Sequence, residues 1–458
     1  MKKPNILFIF ADQWRASAFG HKGDPNVKTP HLDKFATQNT SFDNAVSGCP
    51  VCCPYRASLM TGVYPNKHGM MTNDLCLAEM YDGPFLAESL NKGGYQTAYL
   101  GKWHIDGKGR SSYVAPERRL GFEWWKGFEC THDYNYSPYY DQDDAKPHIW
   151  KGYDADLQTD EVIRFINEDT TDKPFAMFLS WGPPHNPYET APEKYQAMYK
   201  PEDIILRDNV PEERAEKARE ELAGYYAHCS ALDAYFGRIL DSLNENGHDK
   251  DTIVIFTSDH GDMLHSQKQV RKQKPWAESI HIPFYVRHPE VSEPQTHRTP
   301  IDAPDLMPTL LGLCDLEVPQ ACQGIDFSKT ITEQKDSTIK EAFIANYVKG
   351  GEWSHKLGGK EYRGLINEQY TYSRTLDGPW LLFDNINDPL QQNNLIENQK
   401  FNDLKLKMDS KLSLRLEALE DDFVSTEEII AREKYDVYPN GVISYQHPQE
   451  PLPEPYKN

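Results

Sequence analysis

The sequence predicts an α/β protein: a large, mostly parallel sheet sandwiched by helices, followed by a smaller antiparallel sheet with a helix near the C-terminus. Three observations predict it. Apolar, β-branched or aromatic runs of five to seven residues alternate with helical patterns over much of the chain. One long amphipathic helix, about 211–246, separates two groups of these runs. Beyond about residue 340 the pattern switches to short strands joined by tight turns. At 458 residues the chain exceeds what one core supports, so two domains are expected, 1–345 and 346–458.

In chain order, residues 5–10 (NILFIF) form the first strand. Thr29-Pro30 opens a helix, with a capping hydroxyl followed by a proline that the first turn tolerates. A Gly93-Gly94 break precedes a strand at 96–100, and 175–181 and 252–256 are two more. In the long helix Leu222, Tyr225, Cys229, Leu232, Phe236, Ile239 and Leu243 recur at alternating three- and four-residue spacing, and Gly247 ends it. The same spacing would suit a coiled coil, but a single such helix packs on the sheet. A strand at 282–287 closes the first part. Residues 362–367, 370–375 and 379–383 read as antiparallel strands with turns at Asn367-Glu368 and Asp377-Gly378. Asp388-Pro389 then opens a loop before a helix at 400–419, and the Pro- and Glu-rich last forty residues wrap the surface irregularly.

The formal net charge of −21 excludes a nucleic-acid partner, whose phosphates need a basic face. It leaves room for an anionic substrate, because a few cations focused in a cleft outweigh a distant negative surface. No apolar run approaches the 18 residues or so that span a membrane, so none is expected as a partner. Met1-Lys2-Lys3 and the apolar run after it are too short for a secretion signal, and Asp12 interrupts them without a cleavage site. The expected location is cytoplasmic, or periplasmic or secreted if a signal has been removed. Eight scattered cysteines do not make a disulfide framework, although Cys314 and Cys322 are close enough in sequence to bridge in an oxidising compartment.

The chemistry-bearing residues lie after strands. Asp12-Gln13 ends the first strand and Asp259-His260 follows a later one, where open α/β sheets place their ligands. A lone aspartate there is usually a turn cap. Two at matching strand ends supply the oxygens a hard divalent cation wants. The Gln13 amide adds an oxygen without charge, and the His260 imidazole admits softer ions, so Ca²⁺ is expected first, with Mn²⁺ or Zn²⁺ as alternatives. Gly101-Lys102-Trp103-His104 follows the 96–100 strand, and Trp181-Gly182-Pro183-Pro184-His185-Asn186-Pro187 ends another. Taken singly, such residues are solvated lysines and capping histidines.

Cys52-x-Pro54-x-Arg56, followed by a short apolar run to Thr61-Gly62, resembles the signature of type I sulfatases of the alkaline phosphatase superfamily. The Asp12, Lys102, His185 and Asp259 motifs, and Lys272 to Pro283 (KQKPWAESIHIP), resemble further motifs in that family's order. The resemblance implies an alkaline-phosphatase-like fold. It also implies that a maturation enzyme oxidises Cys52 to formylglycine, whose hydrate is a metal ligand and the nucleophile. Arg56 would hold its oxygens, Lys102 a hydroxyl and the sulfate, and His104 would take the proton that frees sulfate. His185 would protonate the leaving group. Counting back from Glu278-Ser279-Ile280 favours Lys272 over Lys274 as the active-site lysine. Cys53 has the wrong spacing to Pro54 and Arg56.

Asp-Gln and Asp-His replace the family's common Asp-Asp and Asp-Asn. They also occur in phosphonate monoester and phosphodiester hydrolases of the superfamily, which are the alternative reading. A non-catalytic sulfated-glycan binder is the third, should Cys52 stay unmodified. Residues 129–140 (ECTHDYNYSPYY), with Arg118-Arg119 before them, either line a sugar pocket or form a packed insertion. His132 and Arg118 are the candidate contacts to a carbohydrate sulfate.

Overall fold

The computed structural model describes residues 3–168, 173–333, 335, 337 and 339–437. Ten strands form the main sheet: β1 (Asn5–Asp12), β2 (Thr40–Phe42), β3 (Gln96–Lys102), β4 (Trp124–Phe128), β5 (Tyr136–Asp141), β6 (His148–Lys151), β7 (Phe175–Pro184), β8 (Thr252–Ser258), β9 (Phe284–Arg287) and β10 (Gln295–His297). Their order is β10-β2-β9-β8-β1-β7-β3-β4-β5-β6. The sheet is parallel at its centre and again at one edge, where β10 pairs with β2. β8, β1, β7, β3 and β4 run together, whereas β9 on one side and β5 on the other reverse direction. The expected mostly parallel sheet is present, made mixed by the reversed strands β9 and β5, which sequence periodicity does not signal.

All eight residues of β1 are buried, as expected for a strand covered on both faces. Ile6, Phe8 and Phe10 pack with Tyr55 and Leu59 of helix Cys52–Thr61 and with Leu306 and Leu310 of helix Ala303–Leu313. Leu7, Ile9 and Ala11 face the other layer, which includes helix Ala215–Glu245. All seven apolar positions read in that helix are buried. Each contributes roughly 1.5–3 kcal/mol, which is what holds the helix against the sheet.

β11 (Ala342–Asn346), β12 (Tyr362–Ile366), β13 (Tyr370–Thr375) and β14 (Gly378–Asp384) form the antiparallel sheet in that order. β11 spans the expected 345/346 junction. Its Ala345 amide donates to the Gly48 carbonyl at 2.6 Å, joining the small sheet to the segment that leads into Cys52. Helix Asn402–Ala418 buries Met408, Leu412 and Leu416. Within the stretch expected to be irregular, Thr426–Glu433 is helical, because Ser425 accepts from the Glu428 amide and the Glu428 carboxylate accepts from the Ser425 amide. The remainder of that expectation, from residue 438, lies outside the described residues. Cys314 and Cys322 are both free thiols. No helix among the described residues is long and apolar enough to cross a membrane.

Candidate active site

Because β1, β3, β7 and β8 are parallel, their C-terminal ends share one edge of the sheet. That edge collects Asp12 from β1, Lys102 from β3, His185 just after β7 and Asp259 just after β8. Gln13 turns the chain at φ 73°. Gly101 is required where β3 passes β7: its φ is 103°, and a Cβ there would lie 2.1 Å from the Ser180 carbonyl oxygen. Cys52 is the first residue of a fully buried helix, so the partial positive charge of the helix N-terminus lies at the same edge.

Arg56 ties the edge together. Its Nε and Nη2 donate to Asp259 Oδ2 at 3.1 and 3.0 Å, and Nη2 also reaches Asp12 Oδ2 at 3.4 Å. Its Nη1 donates to the Lys102 carbonyl and to Ser180 Oγ, both at 2.8 Å. Lys102 Nζ donates to Asp12 Oδ2 at 2.5 Å. Cys52 Sγ lies 3.2 Å from His260 Nε2 and 3.8 Å from Asp12 Oδ1. Potential ligand atoms of Asp12, Cys52, Asp259 and His260 all lie within 4.8 Å of one another, and all four residues are buried. Two carboxylates, an imidazole and a fourth donor converging in this way fit a divalent cation.

A second group adjoins it. Lys272 Nζ donates to Gln13 Oε1 at 3.1 Å and contacts His185 Nε2 at 2.8 Å. The His132 and His185 rings stack with centroids 4.4 Å apart and 16° between planes. Lys274 is committed elsewhere, to the Val270 and Glu352 carbonyls. Arg118 makes a two-point pair with Asp106 at 2.6 and 3.2 Å. Within 134–140, Tyr134 is core, donating to the Gly182 and Asn186 carbonyls.

The electrostatics separate the adjacent cysteines. Burial and Asp12 push the Cys52 thiol up, but Lys272, Lys102 and His260 outweigh them and leave it at about 6. Burial pushes Cys53 up to about 11. Burial also works against the Asp12 carboxylate, yet the Lys102 and Lys272 ammoniums hold it well below the usual range. Burial and the Lys272 ammonium keep the His185 imidazole well below its usual range.

Sequence reading missed the partners that orient these groups. Asp262 accepts from Gln13 Nε2 at 2.7 Å and from the Tyr188 hydroxyl, and Ser180 anchors Arg56. Only Asp262 carried a signal, three residues after Asp259 in Ser-Asp-His-Gly-Asp.

A sulfatase family profile matches residues 4–316, and a profile for the C-terminal part of N-sulphoglucosamine sulphohydrolase matches 270–418. An ulvan-active sulfatase of Formosa agariphila is 42% identical over 438 residues, covering 94% of this chain and 85% of the relative. An endo-4-O-sulfatase of Bacteroides thetaiotaomicron is 32% identical over 450 residues, covering 86% and 88%. A solved structure described with the metabolism of multiple glycosaminoglycans by that bacterium superposes with a TM-score of 0.83 at 29% identity, covering 94% and 99%. A phosphonate monoester hydrolase of Agrobacterium radiobacter shares the fold, with a TM-score of 0.72 at 22% identity over 97% and 100% of the two chains. With the family profile spanning more than half of the chain and two such relatives covering most of it, the protein belongs to the sulfatase family of sulfuric ester hydrolases.

Proposed function

We propose that this sulfatase removes sulfate from a sulfated polysaccharide, with Cys52 as its nucleophilic position after oxidation to formylglycine by a separate maturation enzyme. The observation that supports this most is the setting of Cys52: buried at a helix N-terminus, inside the Asp12–Asp259–His260 cluster and facing Lys102 and Lys272. Asp12, Asp259, His260 and position 52 would hold the metal, with Gln13 Oε1 as the fifth candidate. Ca²⁺ suits the oxygen donors best, and His260 is the feature that admits Mn²⁺ or Zn²⁺. Metal and formylglycine together supply an activated hydroxyl and an electrophilic cation.

The remaining work falls to residues of this chain. Arg56 fixes both aspartates, while Lys102 and Lys272 stabilise charge on the oxygens of a transferring sulfuryl group. Lys272 Nζ, hydrogen-bonded to His185 Nε2, carries the proton that this pair delivers to the departing oxygen. His104 takes the proton whose removal lets sulfate leave. His132, stacked on His185, borders the leaving-group side.

The ulvan-active and endo-4-O-sulfatase relatives favour a polymeric carbohydrate substrate over a small ester. Gln13 and His260 are the features that fit a phosphonate or phosphodiester hydrolase, but two phosphonate hydrolases match at 22% and 20% identity, against 42% and 32% for two sulfatases. The test is a panel of sulfated saccharides beside an aryl phosphonate. Sulfate release from at least one saccharide, at a kcat/KM well above that on the phosphonate, is expected; a preference for the phosphonate would reverse the reading.

A further inference from the structure

His104 and Asp74 meet in a contact that the roles given above leave unassigned. His104 Nε2 lies 3.3 Å from Asp74 Oδ1, and the residues are only 3% and 8% exposed. They come from separate loops: His104 follows β3, and Asp74 precedes helix Leu77–Met80. Both have left-handed backbones, φ 58° for His104 and 68° for Asp74, a conformation uncommon outside glycine but one in which Asp and His are enriched. Two such turns bring one carboxylate to one imidazole. The other ring nitrogen, Nδ1, is buried with no hydrogen-bond partner. The other titratable groups around the ring are the Cys130 and Cys53 sulfurs, the Lys102 ammonium and the Glu129 carboxyl.

A carboxylate on one imidazole nitrogen fixes the tautomer, leaves the other nitrogen as the proton acceptor, and stabilises the imidazolium that forms. We propose that Asp74 is the positioning residue for His104: it holds the Nε2–H tautomer, leaves Nδ1 open to a proton, and favours the charged ring once that proton arrives. This rests on the reading of His104 as the proton acceptor. Burial pushes the proton affinity of the ring down, whereas the facing Cys130 and Cys53 sulfurs and the Asp74 bond favour the charged ring, the form that exists once the proton has been taken.

The test begins on the unmodified, metal-free protein, so that it does not depend on turnover. Histidine ¹⁵N spectra of wild type, with the ring assigned by its loss in His104→Gln, are compared with those of Asp74→Asn and Asp74→Glu. Asp74→Asn is expected to lower the proton affinity of His104 by about tenfold or more and to mix its tautomers, and Asp74→Glu to restore part of both. A His104 signal unchanged by Asp74→Asn would overturn the proposal. In the matured enzyme, on the saccharide that scores best in the panel above, Asp74→Asn should lower kcat by about 10²-fold with KM changed little. An equal loss in a properly folded Asp74→Ala and Asp74→Glu, with no shift of the His104 signal in either, would reduce the contact to a structural one. If His104→Gln leaves kcat intact while Asp74 still controls the ring, it is the proton-acceptor reading that fails, not the pairing.

Discussion

Two buried cations in this molecule are held in opposite ways. In the small sheet, Arg363 of β12 is matched internally. Nε and Nη2 make a two-point pair with Asp421 at 2.6 and 3.2 Å, Nη1 donates to two carbonyls, and the guanidinium lies 3.9 Å from the Tyr347 ring centroid. At the edge of the large sheet, Lys272 is just as buried, but its near partners are neutral: Gln13 Oε1 at 3.1 Å and His185 Nε2 at 2.8 Å. Its closest carboxylate, Glu352, is 3.8 Å away and one-third exposed. A charge kept out of water without a tight counterion is a poor device for stability. It is a good one for receiving an anion, because nothing has to be displaced when the anion arrives. The first arrangement holds a fold together; the second fits the role proposed for Lys272 at the sulfuryl group.

The comparison breaks if the two cations respond alike to removal. Arg363→Met strands the buried Asp421 carboxylate and should destabilise the protein by about 3–5 kcal/mol, read as a drop in unfolding midpoint, with kcat in the surviving folded fraction little changed. Lys272→Met should do the reverse: kcat/KM on a sulfated saccharide falls roughly 10²–10³-fold, while thermal stability holds or rises. Equal stability losses in the two variants would mean that Lys272 too is structural.

A smaller effect sharpens the electrostatic side. In unmodified protein with chelator present, the Cys52 thiol is depressed to about 6, below the ordinary value of about 8.5 for a free thiol. An acid depressed in the folded state contributes stability that is fully present above the unfolded value and is lost as pH falls through the folded one. The unfolding free energy of wild type relative to Cys52→Ala should therefore climb between about pH 6 and 8.5, by at most about 1.4 kcal/mol per unit. Chemical denaturation of both proteins across that range checks it, and a flat difference would show that the lysines do not act on the sulfur.

The sequence was most readable where chemistry and strand ends coincide. β1, β3, β7 and β8 are apolar runs with reactive residues at their C-terminal ends, and parallel packing brings those ends together without further instruction. The three-residue strands β2 and β10, and the antiparallel β5 and β6, are too short or too mixed for periodicity to mark. β11 pairs through the backbone with a strand about twenty residues on, so its existence depends on a partner rather than on its own pattern. The same logic separates Asp12 from Asp74. Asp12 sits at the end of a visible strand, whereas Asp74 and Tyr188 earn their neighbours only through loops that approach in space. The capping box at Ser425 was legible as S-x-x-E and was hidden by the composition around it.

Under the proposed mechanism, sulfate release depends on the chemistry at position 52. The most direct measurement compares wild type, Cys52→Ala and Cys53→Ala, each produced with a formylglycine-generating enzyme. Sulfate release from the saccharide panel is read beside the mass of the peptide spanning residue 52. Release is expected to track the fraction of peptide carrying the aldehyde at 52, to be absent in Cys52→Ala and to survive in Cys53→Ala. An active preparation whose Cys52 remains entirely a thiol, or sulfate release by Cys52→Ala, would contradict that mechanism.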